Sequence, residues 1–205
     1  MSKKPLIWRG ASRTLRLLGI RFYDSFYLEK NLGTNIEPVA PSIELDISPA
    51  TKGDINEIIR TREQAVLNRF QIAEAFEGVC YCAKQGKQIT GNIWVTRKAI
   101  ILDDFHVADL PPDGAYLFGA YVFSCYRGKK VYQSLRDHAY STVRDAGCAF
   151  AASLVGRNSI PAVVARNRSG LLFQDARLLK LPGSRVITLG KPFVIGASVS
   201  GGSPA

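Results

Sequence analysis

Residues 115–132 read AYLFGAYVFSCYRGKKVY. The first half is apolar and aromatic, which predicts a buried strand, and the second half holds Arg127, Gly128, Lys129 and Lys130 just before a helical pattern. The N–H groups at the start of a helix are unpaired, and the helix dipole is positive there. Gly128 can adopt backbone angles closed to other residues and brings no side chain to block a ligand. The stretch therefore predicts a strand, a basic turn and a helix N-terminus that together suit a phosphate group.

A family resemblance begins at residues 121–135, which read YVFSCYRGKKVYQSL. This segment resembles the acyl-coenzyme A site of the GCN5-related N-acetyltransferase (GNAT) superfamily, a strand ending in Val followed by Arg/Gln-x-x-Gly-x-Gly/Ala at the start of a helix. The positions that match are Val122, Tyr126, Arg127, Gly128, Lys129, Val131 and Leu135. Lys130 and Tyr132 stand where the family usually has glycines, so we expect a narrower pyrophosphate cradle, or one supplemented by a lysine ammonium.

Composition limits the class of protein. The chain has 205 residues, 46% of them hydrophobic, which suits one domain with extensions. Its net charge of +10 predicts an anionic partner, such as nucleic acid, a phosphorylated cofactor, an acidic carrier protein or an anionic membrane. The four cysteines are too few and too scattered for a disulfide framework, and no apolar run is long enough to span a membrane or resembles a signal peptide. We expect a cytoplasmic protein.

Two of the cysteines, Cys80 and Cys82, lie two residues apart in a strand-like run, so their side chains share one face of the strand. One interpretation is a zinc site completed by His106 or His138. We favour the simpler interpretation, that both are buried as small hydrophobic residues, and expect no metal.

The amino-terminal region is strongly basic. Residues 2–21 contain six basic side chains and no acidic one, and Leu15, Leu18 and Phe22 fall on one side of a helix. This pattern fits either an amphipathic helix that contacts a membrane surface or an acidic partner, or a helix packed on the domain with a solvated basic face. We favour the packed helix, and the aromatic residues at 22, 23, 26 and 27 continue the helical spacing. The domains expected are a partly helical basic extension (1–40), a main domain (41–195) and a flexible tail (196–205).

The order of the remaining elements extends the family resemblance. The patterns predict a strand at 43–47, a helical region at 51–76, a hairpin at 78–96, its continuation at 98–104, a turn at 111–114 and the strand of residues 115–122. A helix at 131–146 ended by Gly147, a buried strand at 148–157, a short helix at 158–170 and two strands around Pro182 follow. This order, over roughly 43–195, resembles the GNAT fold. It implies an α/β fold, α+β by some schemes, with a mixed, mostly antiparallel central sheet that is splayed at the acyl-CoA site and flanked by helices.

A second segment strengthens the resemblance. NSIPAVVARNRSGLLF resembles the family's Asn-x-x-Ala-x-x-x-Tyr-x-x-x-Gly-Phe. Asn158 and Gly170 match, Ala162 matches with a shift of one, and Leu171 replaces the Phe. Ala165 stands where many members have a tyrosine that protonates the departing thiolate.

The resemblance implies transfer of an acetyl or other acyl group from acyl-CoA directly to a primary amine of a small molecule. Such transfer needs a deprotonated amine, a polarised thioester carbonyl and a proton for the leaving thiolate. The cofactor-binding residues implied are Val122, Phe123, Ser124, Arg127, Gly128, Lys129, Lys130, Val131, Tyr132 and Asn158. The candidate catalytic residues are His106 and Asp104 as bases and Tyr121 and Tyr126 as acids, with Glu74 and Glu77 bordering the acceptor pocket. A base acting through water is an equal alternative.

Two other functions stay open at the sequence level. One is an acyltransferase that uses acyl carrier protein as donor, as the related acyl-homoserine lactone and N-acyl amino acid synthases do. The basic residues 2–21 would suit that acidic carrier, or a peripheral contact with the inner face of a membrane. The other is a non-catalytic basic module for nucleic acid or an anionic membrane. We disfavour nucleic acid because no series of basic and aromatic residues resembles an RNA-binding motif.

Overall fold

A computed structural model of the chain describes residues 18–34, 36, 38–62, 67–157 and 171–199. The amphipathic pattern before residue 18 and the helix expected at 158–170, with Asn158, lie outside these residues. The described residues form two compact units. The larger contains residues 29–153, 171–172 and 195–199, and the smaller contains residues 18–28, 154–157 and 173–194. None of the described helices combines the length and the apolar character that crossing a membrane requires.

The strands of the larger unit are β2 (Asp46–Pro49), β3 (Val79–Gln85), β4 (Gln88–Thr96), β7 (Gly114–Val122) and the first residues of β8 (Phe150–Gly156), while β5 (Ala99–Leu102) and β6 (Phe105–Asp109) form a separate hairpin. The five strands of the main sheet lie in the order β8-β7-β4-β3-β2, and among their pairings only that of β7 with β8 is parallel. Its helices are α1 (Lys52–Arg62), α2 (Leu67–Ala75) and α3 (Val131–Asp145). The expected mixed α/β class, with a large sheet flanked by helices, is confirmed.

The two faces of this sheet bury different residues because side chains alternate along a strand. On one face, Leu135, Ala139 and Val143 of α3 are buried against a cluster that includes Ile93, Val95 and Leu117. On the other face, Ile58 of α1 and Phe70 of α2 pack in a cluster with Trp94, Cys80 and Cys82. The expected contact of α3 with the sheet and the burial of both cysteines are therefore confirmed.

The smaller unit contains most of β1 (Arg21–Asn31), β9 (Leu171–Lys180) and β10 (Val186–Thr188), with β9 and β10 antiparallel. Within it, the guanidinium of Arg157 donates to Asp24 at 2.9 Å and to Asp175 at 2.7 Å. The helical interpretation of residues 22–27 is wrong, since this stretch lies in β1. Its aromatic residues fit a pleated surface as well as a helix, and Tyr27 stacks on Phe193 at 4.7 Å between ring centroids.

Two predicted strands differ in the structure, and part of the expected tail is described. The first predicted strand lies at 46–49 rather than 43–47, and it includes Pro49, which is tolerated because β2 is the outermost strand of its sheet. Residues 99–102 do not extend the main sheet but pair with β6, a short strand of mixed polarity that carried no clear pattern. Residues 196–199, expected to belong to a flexible tail, form a turn whose Gly196 and Ser198 amides donate to the buried carboxylate of Glu29.

The half-buried His138 of α3 predicts a pH dependence of stability. Burial lowers the pKa of His138 from 6.5, so the folded state binds fewer protons than the unfolded state between the two pKa values. The free energy of unfolding therefore decreases as the pH falls below about 6.5. We expect His138→Gln to reduce the loss of unfolding free energy between pH 7 and 5.5, measured by urea denaturation. An unchanged pH dependence would contradict this.

Candidate functional site

Strand β7 carries a bulge near its carboxyl end. In its pairing with β4, Asn92 lies opposite Tyr121 and Trp94 lies opposite Phe118, so three steps along β7 match two along β4. The extra residue is accommodated at Gly119, whose φ of 60° favours glycine. The Nδ2 of Asn92 donates to the Gly119 carbonyl at 3.3 Å, which ties the bulge to the neighbouring strand.

The pairing of β7 with its parallel neighbour β8 is short. It joins Gly114, Ala115 and Tyr116 to residues 150–152, while β7 continues to Val122. Beyond this ladder lie the end of β7 and the residues that follow it, 121–124, where the resemblance to the GNAT superfamily implies that backbone N–H groups contact the thioester carbonyl. The N–H of Phe123 donates to the Thr90 carbonyl at 3.0 Å, so this amide is already hydrogen-bonded to the neighbouring strand. A contact between Phe123 and a ligand would therefore involve its side chain.

The turn between β7 and α3 leaves the start of the helix without a side-chain cap. One 3₁₀ turn, Ser124–Tyr126, precedes Gly128 and Lys130, whose φ angles are 80° and 62°. Lys130 occupies the N-cap position, where Ser, Thr, Asp or Asn usually bonds the first free amides, and it makes no side-chain cap hydrogen bond. A Cβ at Gly128 would meet nothing within 4 Å. The turn therefore combines uncapped helical N–H groups with open space, as an anion requires.

The charges around this turn are positive. Residues 114–136 contain no acidic side chain. The Nε of Arg127 donates to the Val122 carbonyl at 3.4 Å, and the Lys129 ammonium lies 5.1 Å from the centroid of the Tyr126 ring. The Tyr126 hydroxyl in turn donates to Gln88 Oε1 at 2.8 Å. The side chains of the turn are thus positioned by contacts with β7 and with Gln88, the first residue of β4.

Residues 39 and 42, which precede β2, form hydrogen bonds with the same turn and with helix α3. The Ser42 N–H donates to the Lys129 carbonyl at 3.2 Å, and the Val39 N–H donates to Asp137 Oδ2 at 3.1 Å. Asp137 is only 5% exposed and also accepts from Arg136 at 2.6 Å. Sequence reasoning missed these residues because nothing local links positions 39 and 42 to a helix ninety residues later.

The face of the sheet covered by α1 and α2 presents aromatic side chains beside the turn. The Arg62 guanidinium carbon at the end of α1 lies 3.9 Å from the centroid of the Tyr121 ring, and Phe123 meets that ring edge-on at 5.2 Å. Further along the face, Trp94 lies 5.2 Å from Phe70 and 6.3 Å from Phe118. The contact of Arg62 with Tyr121 was not predicted, because the sequence indicates only a helical region at 51–76.

Four predicted site residues lie elsewhere. The His106 ring stacks on Phe76 at 5.4 Å and its Nε2 bonds Asp109 Oδ1 at 2.8 Å, while Thr96 donates to the Phe76 carbonyl. Since Thr96 pairs with Tyr116, these groups lie at the amino-terminal end of β7, about 17 Å along the strand from Tyr121. The same end of the unit holds Asp104, in the turn between β5 and β6, and Glu74 and Glu77, at the end of α2, with Glu77 bonded to Lys98. The structure therefore brings Tyr121, Tyr126 and the basic turn together, without His106, Asp104, Glu74 or Glu77.

Comparisons with known proteins bear on the fold. No protein-family model matches the chain, and no curated protein matches it. Among solved structures, a GCN5-related glucosamine N-acetyltransferase region of a fungal multi-domain β-N-acetylglucosaminidase is similar with a TM-score of 0.57 and 12% identity, over 86% of this chain and 23% of that one. A tandem GNAT protein from the clavulanic acid biosynthesis pathway is similar with a TM-score of 0.54 and 11% identity, over 94% and 61%.

A GCN5-related N-acetyltransferase from Sphaerobacter thermophilus is similar with a TM-score of 0.51 and 13% identity, over 83% of this chain and 55% of that one. The chain thus spans less than two thirds of the length of each of these three structures. At such identities the likeness concerns the fold. The bulged strand, the basic turn and the helix that follows it occur in the element order expected from the sequence, and the chain has the fold of the GNAT superfamily.

Proposed function

We propose that the chain is an N-acyltransferase that moves an acetyl or other acyl group from acyl-CoA to a primary amine of a small molecule. The observation that carries the proposal is the uncapped start of α3 behind a turn with three cations, at the end of the bulged strand β7. An anion at this position gains helix N–H groups, the helix dipole and full positive charges together. The phosphates of coenzyme A supply such an anion attached to a thioester.

In this proposal the donor lies along the end of β7. Its pyrophosphate contacts the amides that follow Gly128, with Arg127, Lys129 and Lys130 as counter-charges. Lys130 replaces a glycine of the family pattern, and its left-handed backbone still allows the turn that glycine would make. The pantetheine arm passes the side chains of Val122 and Phe123. Asn158, expected to bond this arm, remains a prediction from the sequence.

The reaction joins the amine nitrogen to the thioester carbonyl carbon and breaks the bond from that carbon to sulfur. The acceptor arrives as an ammonium, so one proton leaves before attack, and a second leaves the nitrogen as the tetrahedral intermediate collapses. One of these protons goes to the thiolate of coenzyme A, and the other to solvent. Water is the base that we favour, because the candidate side chains His106 and Asp104 lie at the opposite end of β7.

The proton for the thiolate has two candidate sources. The Tyr126 hydroxyl donates to Gln88, a bond that proton transfer would break. The Tyr121 ring contacts both Arg62 and Phe123 at the end of β7. We therefore favour Tyr121 as the acid.

Matched substitutions separate these roles. We expect Tyr121→Phe to lower kcat at least about tenfold while the KM for acetyl-CoA changes little, because the ring contacts stay and only the hydroxyl is lost. We expect His106→Ala and Asp104→Asn to stay within about twofold of the parent, since neither lies near Tyr121. Thiol release in steady-state assays measures both. A large loss of kcat in His106→Ala would restore His106 as the base, and an unchanged kcat in Tyr121→Phe would remove the acid role.

The proposal is tested by calorimetric titration with acetyl-CoA and with S-acetylpantetheine, which carries the same thioester without the phosphates. We expect acetyl-CoA to bind in the micromolar range and S-acetylpantetheine at least about a hundredfold more weakly, because the turn binds the phosphates. Equal affinity would contradict the assigned turn. No binding of either compound, together with acyl transfer from acyl carrier protein, would contradict acyl-CoA as the donor. Salt-dependent binding of nucleic acid without acyl-CoA binding would contradict an enzymatic function.

A further inference from the structure

Two side chains of β4 each have a hydrogen-bonding atom that finds no partner among the residues that the structure describes. These atoms are Asn92 Oδ1, an acceptor, and Trp94 Nε1, a donor. Both side chains are almost fully buried. The other polar atom of the Asn92 side chain is already bonded, because Nδ2 donates to the Gly119 carbonyl. An unpaired polar atom in a protein interior is costly, so two of them on one strand call for an explanation.

Both side chains lie on the face of the sheet that borders the end of β7. Asn92 pairs with Tyr121 and Trp94 pairs with Phe118, and directly paired residues of antiparallel strands lie on the same face. The proposed donor lies along the end of β7 beyond its short pairing with β8, whereas β4 is the strand on the other side of β7. The two atoms are therefore better placed for the acceptor than for the donor.

The surroundings of the two atoms are aromatic. Trp94 lies 5.2 Å from Phe70 and 6.3 Å from Phe118 between ring centroids. In such surroundings an ion is costly, while a neutral group that makes its hydrogen bonds is well accommodated. One free acceptor and one free donor match a group that offers one N–H and one C=O, as an amide does. Asn92 and Trp94 are two residues apart, about 7 Å along β4, which is comparable with the span of an amide that has a hydrogen bond at each end.

We propose that the acceptor carries an amide beside its amine, as an amino acid amide does, and that Asn92 and Trp94 bind this amide. This inference rests on the proposed function. Asn92 Oδ1 accepts the amide N–H, and Trp94 Nε1 donates to the amide oxygen. In an amino acid amide one carbon joins the amide to the amine. Because Asn92 pairs with Tyr121, an amide held on β4 places the amine beside the end of β7, where the proposed donor places its thioester.

Acceptor binding requires an aromatic ring to move, because both atoms are covered in the protein without substrate. Phe118, the cross-strand partner of Trp94, is half-buried, whereas Phe70 is almost fully buried. Phe118 also precedes the bulge at Gly119, where the pairing of β7 with β4 is irregular. We therefore expect the Phe118 ring to turn toward solvent and the amide to take its place.

The inference is tested with three acceptors that share a phenyl group and with acetyl-CoA. L-Phenylalanine N-methylamide offers both the N–H and the C=O, L-phenylalanine methyl ester offers only the C=O, and phenethylamine offers neither. A neighbouring carbonyl lowers the pKa of an amine, so kcat/KM is expressed per concentration of neutral amine. We expect the amide to exceed the ester at least about tenfold and phenethylamine at least about thirtyfold. An ester or phenethylamine that reacts as well as the amide, or no transfer to any of the three by protein that binds acetyl-CoA, would overturn the inference.

Variants of the two residues isolate their roles. In Asn92→Leu we expect the ratio of kcat/KM between the amide and the ester to fall at least about tenfold. Thr90→Val is the matched control, because it also removes a buried polar group of β4, but one whose hydroxyl already donates to the Ala83 carbonyl at 2.9 Å. It should keep the ratio. An unchanged ratio in Asn92→Leu, whatever its overall activity, would overturn the role of Asn92.

Trp94→Phe removes the indole N–H and keeps an aromatic ring. We expect the ratio of kcat/KM between the amide and phenethylamine to fall at least about tenfold, while the ratio between the amide and the ester stays the same, because both of these offer a C=O. Equal losses on all three acceptors would overturn the role of Trp94.

The signal of the Trp94 indole N–H in a nuclear magnetic resonance spectrum reports the contact without turnover. The chain has two tryptophans, Trp8 and Trp94, so the signal of Trp94 is the one lost in Trp94→Phe. With coenzyme A present in place of acetyl-CoA, we expect L-phenylalanine N-methylamide to move this signal downfield, as a new hydrogen bond does. Phenethylamine should leave it near its original position. The same shift with both compounds, or no shift with either, would overturn the inference.

Failure of this inference and failure of the proposed function give different results. Calorimetric titration with acetyl-CoA on the same protein reports the donor site without any acceptor. Absence of acetyl-CoA binding overturns the proposed function, and the inference with it. Binding of acetyl-CoA with transfer to the ester or to phenethylamine as efficient as to the amide supports the proposed function and overturns only the amide-bearing acceptor.

Discussion

Gly128→Glu is expected to weaken acetyl-CoA binding at least about a hundredfold, equivalent to about 2.7 kcal/mol. Two effects act in the same direction. The new carboxylate repels the phosphates at short range, and it competes with them for the uncapped amides of α3, which favour any nearby anion. Because a Cβ at Gly128 meets nothing within 4 Å, the substitution forces no rearrangement of packed neighbours. The protein should remain folded while its donor site is blocked.

Gly147→Glu is the matched control for this change. Gly147 has a φ of 87°, close to the 80° of Gly128, and a Cβ there also meets nothing within 4 Å. Both variants therefore carry a similar cost of about 1 kcal/mol for a left-handed backbone and the same added charge. They differ in position, because Gly147 follows the opposite end of α3, about 22 Å away. Acetyl-CoA affinity near the parental value is expected for Gly147→Glu in calorimetric titration, and an equal loss in both variants would mean that the phosphates do not bind at the turn.

The turn and helix α3 could be predicted from the sequence because their determinants are local. The apolar run of β7, the glycine and cations of the turn, the helical spacing of Leu135, Ala139 and Val143, and the stop at Gly147 all lie within about thirty residues. The same holds for the β3–β4 hairpin, whose two strands flank a turn of two residues. Local backbone preference and the period of hydrophobic residues agree at these positions, and such agreement makes a sequence predictable.

The expected acceptor side could not be predicted in the same way. Arg62 contacts Tyr121 although the two lie about sixty residues apart in the sequence, and Asn92 bonds the Gly119 carbonyl at a sequence separation of 27 residues. Neither side chain belongs to a short motif. His106 was predicted as the base only because an imidazole can accept a proton. The pairing of Thr96 with Tyr116 places it at the amino-terminal end of β7, away from Tyr121. A titratable residue near a key strand in sequence can lie one strand length away from the site in space.

Strand β1 shows a different limit. Its residues Phe22, Tyr23, Phe26 and Tyr27 fit a helical period of three to four, yet the stretch is extended and buries Ser25, Tyr27 and Glu29 on alternate positions. Aromatic residues are common in strands, and a short run of them fits both periods. A carboxylate such as that of Glu29 is buried only when it is hydrogen-bonded. Its partners are the amides of Gly196 and Ser198, which lie 167 and 169 residues later in the sequence, so no local pattern indicates that this position is buried.

Gly91→Val is expected to lower the free energy of unfolding by about 3 kcal/mol and to weaken acetyl-CoA binding as well. A Cβ at Gly91 would lie 2.7 Å from the Tyr121 carbonyl oxygen, a backbone atom, and 3.2 Å from Leu135 Cδ1. Leu135 is fully buried in α3, so it has no space into which to move. Overpacking of this kind costs about 1–3 kcal/mol and more when the backbone must shift. Here the shift would separate β4 from β7 where the site begins.

Gly156→Val is the control, since Gly156 is also a strand glycine but a Cβ there meets nothing within 4 Å. Valine favours extended backbone, so this variant should unfold within about 0.5 kcal/mol of the parent. Urea denaturation followed by circular dichroism measures both, and similar midpoints for the two variants would contradict the close approach of the Tyr121 carbonyl to Gly91. Gly91→Ala adds a single methyl group and should lie between the parent and Gly91→Val. Graded losses of stability and of acetyl-CoA affinity along this series would mean that the spacing of β4 and β7 holds the end of β7 and the start of α3 in the geometry that the donor requires.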